Sequence, residues 1–178
     1  MSGKDYLGKV KDERSFLERI MGYVPGYHGY KQKELRRESD RLVRMDAVNR
    51  LKAAKTVLRM SFADPATVSK LDGEGAFRFD TLTYRLDRIT QRVDRAVAGY
   101  AGFFDAIKVK EDKLDSILQY DADLIEKADS IKTDCTAISK MPPGDDTWNA
   151  AMDALISKVE EYDSLIDARS EILRGLEA

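Results

Sequence analysis

Cysteine, histidine and tryptophan occur once each in this chain, at Cys135, His28 and Trp148. A lone cysteine excludes an internal disulfide and fits a reducing compartment, so a cytoplasmic protein is expected. One cysteine and one histidine cannot supply a structural zinc site. A di-iron carboxylate bundle is excluded on the same ground, because it needs two Glu-x-x-His motifs. His28 has no nucleophile partner in sequence and reads as a turn residue rather than a catalytic base. Gly73-Glu-Gly75 lacks the rest of either nucleotide motif and the strand required before it. The same segment misplaces the oxygen ligands of an EF-hand. No catalytic residue, metal or cofactor is assigned. No apolar run approaches the ~18 residues of a membrane-spanning helix. Residues 1–11 carry charge without an apolar core, so a signal peptide is not expected. Ser2 stands where N-myristoylation needs glycine.

What remains is helical. Hydrophobic residues make up 43% of 178 positions and charged ones 35%, and there are four prolines. That composition suits one domain over 1–178 with a substantial core. Leu82, Leu86, Ile89, Val93, Ala96, Tyr100, Phe103 and Ile107 step by four and three residues. They form one apolar stripe on a helix, and other long helices must cover it. The fold expected is all-α: an antiparallel up-down bundle of four long helices at 31–62, 80–107, 111–140 and 146–176. An amphipathic N-terminal helix at 5–21 precedes them.

Residues 22–30 form a Pro/Gly/Tyr linker, with Pro25-Gly26 suited to a type II turn. Residues 63–79 read as a connector, broken by Asp64-Pro65 and Asp72-Gly-Glu-Gly75. Asp64 is expected to cap a short turn that opens on Pro65. A helix break is placed near 105–110, and Met141-Pro-Pro-Gly-Asp-Asp146 is a loop. Short loops make the last three helices antiparallel neighbours.

Charge is polarised along the chain. Residues 31–59 hold ten Lys or Arg against four Asp or Glu, and residues 111–178 hold seven against seventeen. Arg85, Arg88, Arg92 and Arg95 form a ladder with no acid of their own helix three or four residues away. Such like-charge neighbours disfavour an isolated helix by ~0.2–0.5 kcal/mol each. The ladder should draw its anions from the acidic C-terminal third. A second basic stripe, Lys33, Arg37, Arg41, Arg44, Lys52, Lys55 and Arg59, is read as a solvated or acid-paired face that could meet a partner. Glu34, Glu38, Asp40 and Asp46 interleave with it, which argues against a dedicated nucleic-acid surface.

Two polar residues interrupt apolar stripes, Asp121 in the fourth long segment and Arg169 in the last. Reversal at 141–146 sets them about a turn apart, which predicts a structural pair fixing register. Tyr23, Tyr27, Tyr30, Tyr100, Phe103 and Phe104 are expected to cluster where the linker meets the central helix. The cluster is either a packing knot or a notch for a ligand.

Pro25 to Arg41 (Pro-Gly-Tyr-His-Gly-Tyr followed by a charged helix) and Gly99 to Val109 (Gly-Tyr-Ala-Gly-Phe-Phe-Asp-Ala-Ile-Lys-Val) carry a resemblance. The two motifs are similar to those of a family of small, uncharacterised helical proteins of bacteria and archaea. The resemblance implies that the motifs are neighbours and that a helix breaks near Lys108 to Lys110. It implies no catalytic residue.

The function expected is a non-enzymatic interaction or scaffold protein presenting helix faces to a protein partner. Peripheral binding to anionic membrane or nucleic acid through the basic stripe is the second reading. The membrane is the better candidate of the two. An enzyme with a carboxylate and tyrosine site is a third. The N-terminal helix need not be covered by its own bundle, which leaves a homodimer open.

Overall fold

The computed structural model describes residues 16–27, 33–96 and 111–174. Among them the chain is all-α, with six helices and no strand. They are α1 (16–23), α2 (Lys33–Ser61), the single turn α3 (Pro65–Val68), α4 (Gly73–Arg95), α5 (Glu111–Ile138) and α6 (Asp146–Arg174).

Local chemistry explains most of the boundaries. After α1, Gly26 takes φ +86° and the Tyr27 amide donates to the Val24 carbonyl at 3.2 Å, closing a turn around Pro25-Gly26. Positive φ at the third position is what a type II turn demands of glycine. Asp64 caps α3, accepting from the Ala66 amide at 3.1 Å, with Pro65 opening the turn. Asp145 caps α6 by accepting from the Trp148 amide at 2.6 Å.

Both ends of the central helix differ from the sequence expectation: it closes at Arg95, with Ala96 as C-cap, rather than running to 107. The central helix begins at Gly73, not near residue 80, so 73–79 leave the connector. Asp72 is its N-cap, with extended backbone and a carboxylate that accepts from the Gly75 amide at 2.7 Å. Glycine in a first turn is tolerated there because packing needs it. A Cβ on Gly75 would sit 3.1 Å from Leu71 Cδ2 and 3.5 Å from Trp148 Cζ3. Gly75, which reads as a breaker, instead lets an indole approach the start of α4. Of the central stripe, Leu82, Leu86, Ile89 and Val93 are buried, and Tyr100, Phe103 and Ile107 lie outside the described residues.

Packing order departs from chain order. α2 and α6 each lie against both α4 and α5, so α4 and α5 occupy opposite corners. Phe62 stacks on Phe79 and Lys55 pairs with Asp87, which makes α2 and α4 antiparallel. Asp121 with Arg169, and Asp134 with Lys158, make α5 and α6 antiparallel. Arg78 with Asp153, Arg85 with Glu160 and Arg92 with Asp167 share one sequence offset, 75 residues, so α4 and α6 run parallel. Of the last three helices, then, only α5 and α6 are antiparallel neighbours. Residues 96–110 separate α4 from α5, too many for loop length to force a hairpin, and the arginine ladder draws α4 to α6 instead.

The core runs between the four long helices. Val43, Ala47, Leu51, Ala54 and Leu58 of α2 meet the α4 stripe, with Met152, Leu155 and Val159 of α6 and Ile125, Ala128 and Ile131 of α5 completing it. Each large aliphatic so buried contributes about 1.5–3 kcal/mol. α5 is buried on a second row, Leu118, Ala122 and Ile125, because it is held between two helices.

Candidate interaction surface

The acidic α6 supplies the anions of the arginine ladder. Arg85 bonds Glu160, Arg88 lies 2.9 Å from Asp163, and Arg92 bonds both Asp163 and Asp167. Burial works to lower the Arg92 pKa, and hydrogen bonds to Asp167 and Asp163 outweigh it, so the guanidinium is held above its usual value. Arg78 extends the ladder by one heptad, donating to Asp153 and Glu74 at 2.8 Å each. Reading 73–79 as connector hid this rung. Its spacing of seven from Arg85 was the signal. Arg95 is exposed and carries no ion pair among the described residues.

The basic stripe of α2 divides. From Arg44 to Lys52 is eight residues, which at 3.6 per turn rotates the second group about 80° from the first. Arg44 is a correction: it is buried, 6% exposed, beside Val43 and Val48, and belongs to no accessible face. α2 is buried there on a widened face, since it packs on both α5 and α4. Arg41 is exposed, and the side chains of Lys33 and Arg37 lie outside the described residues. Lys52, Lys55 and Arg59 instead line a groove of about 420 Å³ against Asp87, Gln91 and Asp94 of α4. Lys55 pairs with Asp87. Lys52, Arg59 and Asp94 are exposed and have no ion pair among the described residues. Beyond the groove the ridge of α4 exposes Phe77 and Tyr84, each 69% accessible.

The opposite edge of α2 is closed by its own pairs. Arg50 bonds Asp46 at 2.6 Å and Asp129 of α5, with its guanidinium 5.1 Å from the Tyr23 ring centroid. Arg19 of α1 donates to Glu126 at 2.8 Å. The Arg50–Asp129 and Arg19–Glu126 pairs are not legible from spacing, since both join segments far apart in sequence.

A buried polar layer lies at the end of the bundle. Asp121 and Arg169 are brought together with 0% and 4% side-chain exposure. Arg169 donates from Nε at 2.9 Å and from Nη2 at 2.7 Å to the same Asp121 oxygen. Tyr27 is also buried, and its hydroxyl lies 3.5 Å from the second Asp121 oxygen. Of the expected aromatic cluster, Tyr23 lies at the surface on Arg50, while Tyr27 turns inward onto the carboxylate. Tyr30, Tyr100, Phe103 and Phe104 lie outside the described residues. Tyr162, wholly buried on α6, has a hydroxyl without a hydrogen-bond partner among the described residues. Burial pushes its phenol pKa up, a trend opposed by Arg169 and reinforced by Asp46.

No group of three or more His, Cys, Asp or Glu is placed to hold a metal ion among the described residues. No described helix is long and apolar enough to cross a membrane. Cys135 is fully buried, and desolvation, helped by Asp134, pushes its thiol up to about 12, which removes the thiolate a nucleophile needs. Searches against family models, curated proteins and solved structures find no match to this chain.

Proposed function

We propose that this chain is a non-enzymatic docking protein of the cytoplasm that presents its α2/α4 face to a protein partner. One observation carries the reading. Lys52, Arg59 and Arg95 are exposed without an ion pair among the described residues, while Lys55, Arg88 and Arg92 beside them all hold carboxylates. Cations held on two packed helices are pre-organised for anions from outside, so little ordering entropy opposes their use. Asp87 and Asp94 in the same groove favour a protein surface over a phosphate polymer, which would meet both carboxylates. The single, buried Cys135 supports the compartment.

The test compares proteins captured on the immobilised wild type and on a Lys52→Glu/Arg59→Glu/Arg95→Glu variant, each captured protein then being purified and rebound. A genuine partner binds the wild type and weakens at least about tenfold on the variant, at unchanged thermal stability. Equal rebinding of every captured protein to both forms would remove the face from the docking role.

A further inference from the structure

We infer that the α2/α4 groove takes a helix whose one edge carries carboxylates a heptad apart and whose opposite edge carries a base. This rests on the docking reading above and names the chemistry of its partner. The groove lies between two helices, whose backbones are already hydrogen-bonded: Lys52, Lys55, Thr56 and Arg59 line one wall, Asp87, Thr90, Gln91 and Asp94 the other. An extended peptide is normally held by main-chain bonds to a sheet edge, and the described residues contain no strand. A helix satisfies its own backbone and offers only side chains, which is all the groove can answer.

The charges set the spacing. Lys52 and Arg59 are seven residues apart on α2, about 10 Å along its axis. Carboxylates at i and i+7 of a parallel or antiparallel helix have the same separation. Lys55 lies between them but is engaged by Asp87, so the middle position asks for nothing charged. Asp94 on the facing wall is exposed without an ion pair among the described residues, and it asks for a cation. A polyanion answers Lys52 and Arg59 and is repelled by Asp94; a helix bearing both signs answers all three. The methylene stems of Lys52, Lys55 and Arg59 give the wall apolar area beneath the charged heads. Small residues such as alanine between the partner's carboxylates would let its helix settle onto those stems. The recognition is electrostatic and exposed, so it weakens as salt rises.

The experiment titrates the full chain with four probes, read by fluorescence anisotropy or light scattering. They are a three-heptad amidated Ala/Glu/Lys helix with glutamates at heptad spacing on one edge and lysine on the other, the same composition scrambled, single-stranded poly-uridine, and phosphatidylserine vesicles. The patterned helix should bind most tightly. Lys52→Gln/Arg59→Gln should weaken it about tenfold, and Asp94→Lys should weaken it severalfold while improving poly-uridine binding. Equal binding of the scrambled peptide, or tighter binding of poly-uridine or vesicles than of the patterned helix, overturns the inference. So does indifference of the patterned helix to Lys52→Gln/Arg59→Gln, with folding of that variant verified by circular dichroism. The docking reading falls separately, if partners captured by the wild type are held equally by the charge-reversed face. A captured partner that needs this face but offers no such helix would sink the inference and leave the docking reading standing.

Discussion

The two ends of the bundle are closed by opposite chemistry. At one, Phe62 stacks on Phe79 with centroids 4.1 Å apart and on Trp148 at 5.9 Å, and Gly75 gives the indole room. At the other, Tyr27, Asp121 and Arg169 bury charge and hydroxyl, with Ser39 and Tyr162 also inaccessible. The aromatic end gains stability by contact and area. The polar end gains little net stability, because desolvating two charges offsets most of their attraction, but it penalises any other arrangement that strands one of them. One end supplies stability, the other uniqueness.

The largest expected effect breaks the polar end. Arg169→Leu leaves Asp121 buried without its guanidinium and should cost about 3–5 kcal/mol. In a domain of this size that lowers Tm by at least about 6 °C. Asp121→Leu combined with Arg169→Leu should recover most of that loss, since the stranded charge is gone. A double variant as unstable as the single one would show that the pair contributes more than mutual compensation.

Gly144→Ala tests the aromatic end through the loop that delivers Trp148. Gly144 has φ +87°, and an added Cβ would sit 2.8 Å from the Lys70 carbonyl oxygen, a backbone atom with little freedom to retreat. Strain of this kind costs about 1–3 kcal/mol. The urea midpoint should fall with the m-value unchanged. An unaltered midpoint would mean that the loop moves away from Lys70 freely.

The smallest change should raise stability. Tyr162→Phe removes a buried hydroxyl that lacks a partner among the described residues, and should add about 1 kcal/mol. In thermal denaturation the variant should unfold about 2–4 °C higher. A lower Tm would show that the hydroxyl is bonded in solution and that the polar end is a hydrogen-bonded network reaching Tyr162.

Legibility in the sequence followed the range of the interaction. The helices at α2, α5 and α6, the Pro25-Gly26 turn and the Asp64-Pro65 cap follow from residues within a few positions of one another. Asp121 and Arg169 were visible because each breaks an apolar stripe, and a short loop relates their helices by simple counting. The start of α4 is not legible locally: Gly73 and Gly75 look like breakers, and only Trp148, far along the chain, shows why Gly75 is needed. Arg44 belongs to a basic row that looks like one face in sequence, but its two halves are rotated about 80° from each other. The groove itself was invisible. It exists because α4 packs on α2 on one side and in parallel on α6 on the other, and no local pattern specifies that pairing.

The constant offset between α4 and α6 has a further consequence. Arg78, Arg85 and Arg92 each reach the residue 75 positions ahead. Slide α6 back by one turn, and those arginines face Ser157, Ser164 and Glu171, losing two of three anions at once. Exposed ion pairs add little to stability one by one. Repeated at a fixed interval they act as a vernier: they admit one longitudinal setting of α6, and with it the depth at which Arg169 meets Asp121.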